Sequence, residues 1–74
     1  MAADPALLRL GTLIKERRAK LNMTQRELAA RSKLHVNYVC GIELGDRNPT
    51  VVVLRKLAAA LEMEVWRMVK DADL

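Results

Sequence analysis

Few side chains in this 74-residue chain can do covalent or metal chemistry. His35 and Cys40 are its single histidine and single cysteine. A zinc site takes three or four protein ligands, so no metal site and no cofactor are expected. A Cys–His nucleophile pair needs a pocket around it, and one short helix carrying Cys40 supplies none, so no enzyme is expected either. A lone thiol forms no internal disulfide and fits a reducing, cytoplasmic setting. Met23, Met63 and Met68 read as gap-filling apolar residues. What remains is hydrogen-bonding chemistry, concentrated in "HVNYVCGIELGDRN", residues 35–48.

This stretch predicts a helix over about 36–44, closed by Gly45 in the position that favours a left-handed residue. On a wheel of 100° per residue, Tyr38, Val39 and Ile42 share the side that can join a core. Val36, Asn37, Cys40, Gly41 and Leu44 share the other, and Glu43 lies at the flank. That outer face holds one amide, one thiol and no charge, and its glycine costs about 1 kcal/mol relative to alanine. A DNA major groove is just wide enough for a helix and gives these residues a use. Asn37 can pair with adenine N6 and N7, Val36 can touch a thymine methyl, and Gly41 permits close approach. The alternatives are a plain solvated surface or a surface for another protein.

The elements that must position this face are all helical, with apolar residues at i, i+3 and i+4. Helix 1 is expected over about 5–21, with Asp4 as N-cap before Pro5 and a face of Leu7, Leu10, Ile14, Arg18 and Leu21. Asn22 then closes it in the left-handed region. "MTQREL" predicts the start of a helix over 24–32: Thr24 caps, Glu27 completes a capping box, and Met23 with Leu28 forms a hydrophobic staple. Helix 4 is expected from Pro49 or Thr50, with Val53 or Leu54, Leu57, Ala58 and Leu61 inward. A short helix 5 follows over about 65–70, and Asp71–Leu74 are expected to fray. Two short helices, 24–32 and 36–44, joined by about three residues, have the dimensions of a helix-turn-helix unit. The start of the first, with Gln25, offers N–H groups to a phosphate.

Length allows a single domain, residues 1–74, that buries only about 60% of its unfolded surface. The opening Met1-Ala2-Ala3-Asp4-Pro5 lacks the charged start and apolar run of a signal peptide. No apolar run reaches the ~20 residues of a membrane span. The net charge is +4, but eight basic residues lie between Arg9 and Lys33 against only Glu16 and Glu27. A basic half suggests a polyanionic partner, with Lys15, Arg17, Lys20 and Arg31 read as general solvated charge.

The segments "LG..I...R....MTQRELA" and "L...YV.GIE.G.RNPT...L.KLAAAL", spanning Leu10 to Leu61, resemble the Cro/repressor-type, XRE-like helix-turn-helix family of DNA-binding proteins. The words "YV.GIE..DRN" are most similar to the controller proteins of restriction–modification systems. The resemblance implies a compact, all-α, five-helix fold of the lambda repressor kind. It implies base reading by Val36, Asn37, Cys40 and Gly41, with Leu44 on the same surface. It implies phosphate contacts by Gln25, Arg47 and Asn48, with Tyr38 at a phosphate or the edge of the groove, and a buried pair of Arg18 with Glu43; Arg26 and Lys33 are further candidates for phosphate contact by their charge. The chain departs from the family's pattern at Lys33, where the turn usually carries glycine, and at Glu62, where glycine usually follows helix 4. It also has Val36 and Leu44 where controller proteins often carry arginine.

The apolar residues of helices 4 and 5 exceed what one small core can hold, and an exposed apolar patch usually marks an interface. A homodimer is therefore expected through residues of the 50–70 region, with Val51, Val52, Met63, Val65, Trp66 and Val69 as candidates. The expected partner is double-stranded DNA, an inverted repeat, with no membrane and no small-molecule ligand. The function expected is that of a transcriptional regulator acting by occupancy. The main rival is an antitoxin-like or other partner-binding module on the same fold, and a repressor domain cut from a longer chain is a lesser one.

Overall fold

The computed structural model describes residues 4–74. Met1–Ala3, which enter the signal-peptide reading, lie outside them. Five helices follow one another: α1 Pro5–Lys20, α2 Gln25–Ser32, α3 Val36–Glu43, α4 Val51–Ala60 and α5 Val65–Asp71. There is no strand among the described residues. α1 packs on α3 and α5, α2 on α3 and α4, and α4 on α5. The core is drawn from every helix, with Leu10, Ile14, Leu28, Ile42, Leu57 and Met68 sealed from solvent.

The starts of the helices follow from local chemistry. The Ala6 N–H donates to Asp4 Oδ1 at 2.9 Å. The capping box of α2 is complete: the Glu27 N–H donates to Thr24 Oγ1 and the Thr24 N–H to Glu27 Oε1, both at 3.0 Å. Met23 and Leu28 are both buried, as a staple requires. Those bonds hold the Glu27 carboxyl below its ordinary value, Thr24 being the main cause and the Arg31 charge a smaller one. Thr50 caps α4 by accepting from the Val53 N–H at 3.2 Å.

The ends follow one rule. Each helix closes with an N–H just beyond it, two residues on for α2 and three for the others, reaching back five residues, and with a left-handed residue just before that donor. Only α3 uses glycine for this, Gly45 at φ 79. Asn22, Lys33, Glu62 and Asp73 take the same conformation at φ 53 to 57. For a residue with a Cβ this costs on the order of 1 kcal/mol, which is the consequence of the missing glycines at Lys33 and Glu62.

Two expectations about α1 and α5 are corrected. The residues from Asp71 onward do not fray. Asp71 is helical, Ala72 is fully buried, and Arg9 of α1 donates from Nε to Ala72 O at 2.8 Å and from Nη2 to Asp73 O at 3.1 Å. Nor is Arg17 general solvated charge. Its guanidinium donates to Leu61 O at 2.9 Å and Glu62 O at 3.1 Å, closing the end of α4. Cations suit helix C-termini, so much of the basic half is spent inside the fold.

Candidate nucleic-acid interface

α2, the turn Lys33-Leu34-His35 and α3 form the candidate interface. Lys33 bends the chain at φ 57, ψ 41 with its side chain exposed, while Leu34 turns inward against the core. His35 then caps α3: its Nδ1 accepts from the Asn37 N–H at 3.1 Å. An accepting Nδ1 places the neutral ring's proton on Nε2. This role was missed by the sequence reading, which weighed His35 only as a metal ligand or as partner to a nucleophilic Cys40. The signal was its place directly before the first helical residue, where side-chain acceptors are favoured. Among the described residues no three His, Cys, Asp or Glu side chains cluster to hold a metal.

Val39 and Ile42 anchor α3 in the core, and Tyr38 is half-buried beside them. The opposite side exposes Asn37 and Leu44, with Cys40 half-buried between them. Val36 is less available than its wheel position implies. It is half-buried, packs against the core, and lines a shallow hollow with Arg18, Met23, Gln25 and Arg26. Arg26, Arg47 and Asn48 are all exposed.

One charged cluster fixes α3 relative to α1 and α2. Arg18 donates to Glu43 from Nε at 2.7 Å and from Nη2 at 2.9 Å, a two-pronged pair. The Glu43 side chain is only 3% exposed and that of Arg18 16%. Arg18 also donates from Nη1 to Met23 O at 3.0 Å, tying in the loop before α2. The bonds from Glu43 raise the Arg18 pKa further above its already high ordinary value. Gln25 Nε2 donates to Glu43 Oε1 at 3.0 Å. An amide nitrogen carries two hydrogens, so Gln25 holds α3 with one and keeps the other for an outside acceptor.

Two glycines mark close approaches. A Cβ on Gly11 would lie 2.6 Å from Ile42 O and closer still to Glu43 O, so α1 touches the backbone of α3 there. A Cβ on Gly41 would lie 2.8 Å from Arg47 Cγ and 3.2 Å from Arg47 Nε. The bare spot that the sequence offered to a groove is covered by the stem of Arg47. Helical wheels treat glycine as a blank and carry no information about a loop folding back over it.

The candidate dimer residues divide. Val51, Val52 and Trp66 are exposed at 67%, 58% and 61%, whereas Met63 and Val65 are half-buried against the core and Val69 is half-buried.

Comparison with known proteins places this geometry. The helix-turn-helix family matches residues 14–65. The chain belongs to the helix-turn-helix family. An HTH-type transcriptional regulator of Sinorhizobium fredii, y4dJ, is 39% identical over 56 residues, 76% of this chain and 73% of that protein. The restriction–modification controller protein C.AhdI of Aeromonas hydrophila superposes with a TM-score of 0.82 at 37% identity, over 84% of this chain and 94% of its own. The controller protein C.Esp1396I, solved as a tetramer with its natural 35-base-pair operator, gives 0.80 at 30% identity, over 93% and 96%. The family is one of DNA-binding transcriptional regulators of the XRE type and not of enzymes, and this helix-turn-helix regulator shares its five-helix fold. No helix among its described residues is long and apolar enough to cross a membrane.

Proposed function

We propose that this helix-turn-helix regulator binds an inverted-repeat operator in the cytoplasm as a homodimer, in the manner of a restriction–modification controller protein. The observation that carries the reading is the outer face of α3, with Asn37 exposed on a helix that Arg18, Gln25 and Glu43 lock in place. A helix held from behind by a two-pronged ion pair presents its outer residues at fixed positions, which base recognition needs. Lys33, Arg26, Gln25 and Asn48 supply phosphate donors around it, with Tyr38 at its edge. Val51, Val52 and Trp66 supply the exposed apolar surface that a second copy would cover. A two-fold dimer places its recognition helices about 34 Å apart, one turn of DNA.

The experiment is selection from a random duplex library at near-physiological salt. Recovery of an inverted repeat with half-site centres about one helical turn apart is expected. Recovery of nothing beyond salt-sensitive, sequence-blind binding overturns the reading. The exposed Trp66 beside a groove between α1 and α5 gives the second reading its footing, a partner-binding module with DNA secondary. Copurification of a stoichiometric partner protein would favour it.

A further inference from the structure

Asn37 is the one polar side chain that α3 itself exposes for base reading; Val36, Cys40, Gly41 and Leu44 bring neither a charge nor an amide. Yet a charged fork lies across that face. Arg47 Cγ, Nε and Cδ stand 2.8, 3.2 and 3.6 Å from where a Cβ of residue 41 would be. Residue 41 shares a face with Asn37, one turn earlier, and with Leu44, three residues later. The stem of Arg47 therefore rides on the outward surface of α3 and does not leave the loop sideways.

The loop enforces this course. Gly45 reverses the chain at φ 79, and the Asp46 N–H donates to Gly41 O at 2.9 Å. That bond pins the backbone one residue before Arg47 directly against the end of α3. The guanidinium makes no ion pair among the described residues, and Arg47 is exposed.

Resting on the DNA-binding reading above, we propose that Arg47 reads a base edge in the major groove, with Gly41 as the seat that lets it lie there. A phosphate contact alone would not need a stem laid over the recognition helix. The chemistry of the group it takes is that of guanine: O6 and N7 are two acceptors spaced for the two parallel donors of a guanidinium. Gly41 then acts as a positioning residue. Its missing side chain is what admits the arginine to the face, at the cost in helix propensity noted for its position.

The test measures binding of the wild type, Arg47→Lys, Gly41→Ala and the double variant. The DNAs are the selected inverted repeat, the same repeat with each G·C pair replaced in turn, and a random duplex. Arg47→Lys keeps the charge and loses the fork. It is expected to bind the random duplex as the wild type does, to lose about tenfold on the operator, and to flatten discrimination at one G·C pair per half-site. Gly41→Ala places a Cβ in the path of the stem and should flatten the same pair. Thermal melts verify its folding, which the better helix propensity of alanine favours. The double variant should bind no worse than Arg47→Lys. If Arg47→Lys retains wild-type discrimination at every position, Arg47 is a phosphate contact and the proposal fails. It also fails if the Gly41→Ala and Arg47→Lys losses add in full, since the glycine then acts independently of the arginine. A wild type that binds every duplex alike overturns the proposed function, and this proposal with it.

Discussion

Gly11→Ala should destabilise the protein, although alanine is the better helix former by about 1 kcal/mol. The reason is the contact between α1 and α3. The new Cβ would stand 2.6 Å from Ile42 O, and ordinary contacts of this kind begin near 3.4 Å. The helices must separate by at least about 0.8 Å, Glu43 O lying closer still, since neither side of the clash is a side chain that can rotate away. A gap of that size forfeits a quarter to a half of the dispersion attraction across it. The residues losing it include Leu10 and Ile14 on one helix and Val39 and Ile42 on the other, all buried. Each is worth roughly 1.5–3 kcal/mol when fully buried. The four residues together forfeit about 1.5–6 kcal/mol, and subtracting the gain in propensity leaves a net loss of about 0.5–5 kcal/mol, a range that contains the roughly 1–3 kcal/mol typical of overpacked cores. For a domain of this size each kcal/mol moves Tm by roughly 4–8 °C, so a fall of about 2 °C at the least is expected in a melt followed by circular dichroism. An unchanged or raised Tm would refute the close approach and the reasoning built on it.

Two further outcomes are expected. Arg18→Met leaves the nearly buried Glu43 with Gln25 as its remaining side-chain donor and should cost about 3 kcal/mol in urea unfolding; adding Glu43→Gln should recover part of the loss, and a single variant as stable as the wild type would show that the pair contributes nothing. Glu27 has its pKa lowered by Thr24, so its stabilisation is complete above the ordinary glutamate value of about 4.3 and is lost as pH falls through the lowered value. The Tm gap between wild type and Glu27→Gln should therefore narrow from pH 6 to pH 3, and a gap constant over that range would contradict the capping box as its origin.

What the sequence revealed was set by distance along the chain. Asp4 and Thr24 cap through a partner two or three residues away, so their roles were legible from spacing; Thr50, expected inside helix 4, caps it in the same way. The left-handed Asn22 was legible for the same reason. Arg9 and Arg17 were not, because the carbonyls they meet lie 63 and 44 residues on, and nothing local tells a capping arginine from a solvated one. The Arg18–Glu43 pair came from the family resemblance and not from periodicity. Val36 shows the limit of the wheel: it assigns a side but cannot see Met23 and Gln25 folding in beside it. Gly41 was noticed as an anomaly, and its cause stood six residues away in a loop to which helical periodicity does not apply.

The arginine closures of α1 set an order on how the protein comes into being. α2 and α3 meet through contacts close in sequence and can pair as soon as they are made. The helix behind them closes last. Arg17 waits for Leu61, and Arg9 waits for Ala72, 63 residues further along. At synthesis rates of roughly 5–20 residues per second, that is a delay of about 3–13 s. During it α1 stands without the two partners that fasten it to α4 and α5. A nascent chain on the ribosome therefore holds α1 against α3 through Arg18 and Glu43 before the segment around Ala72 is free to fold back and fasten its other end.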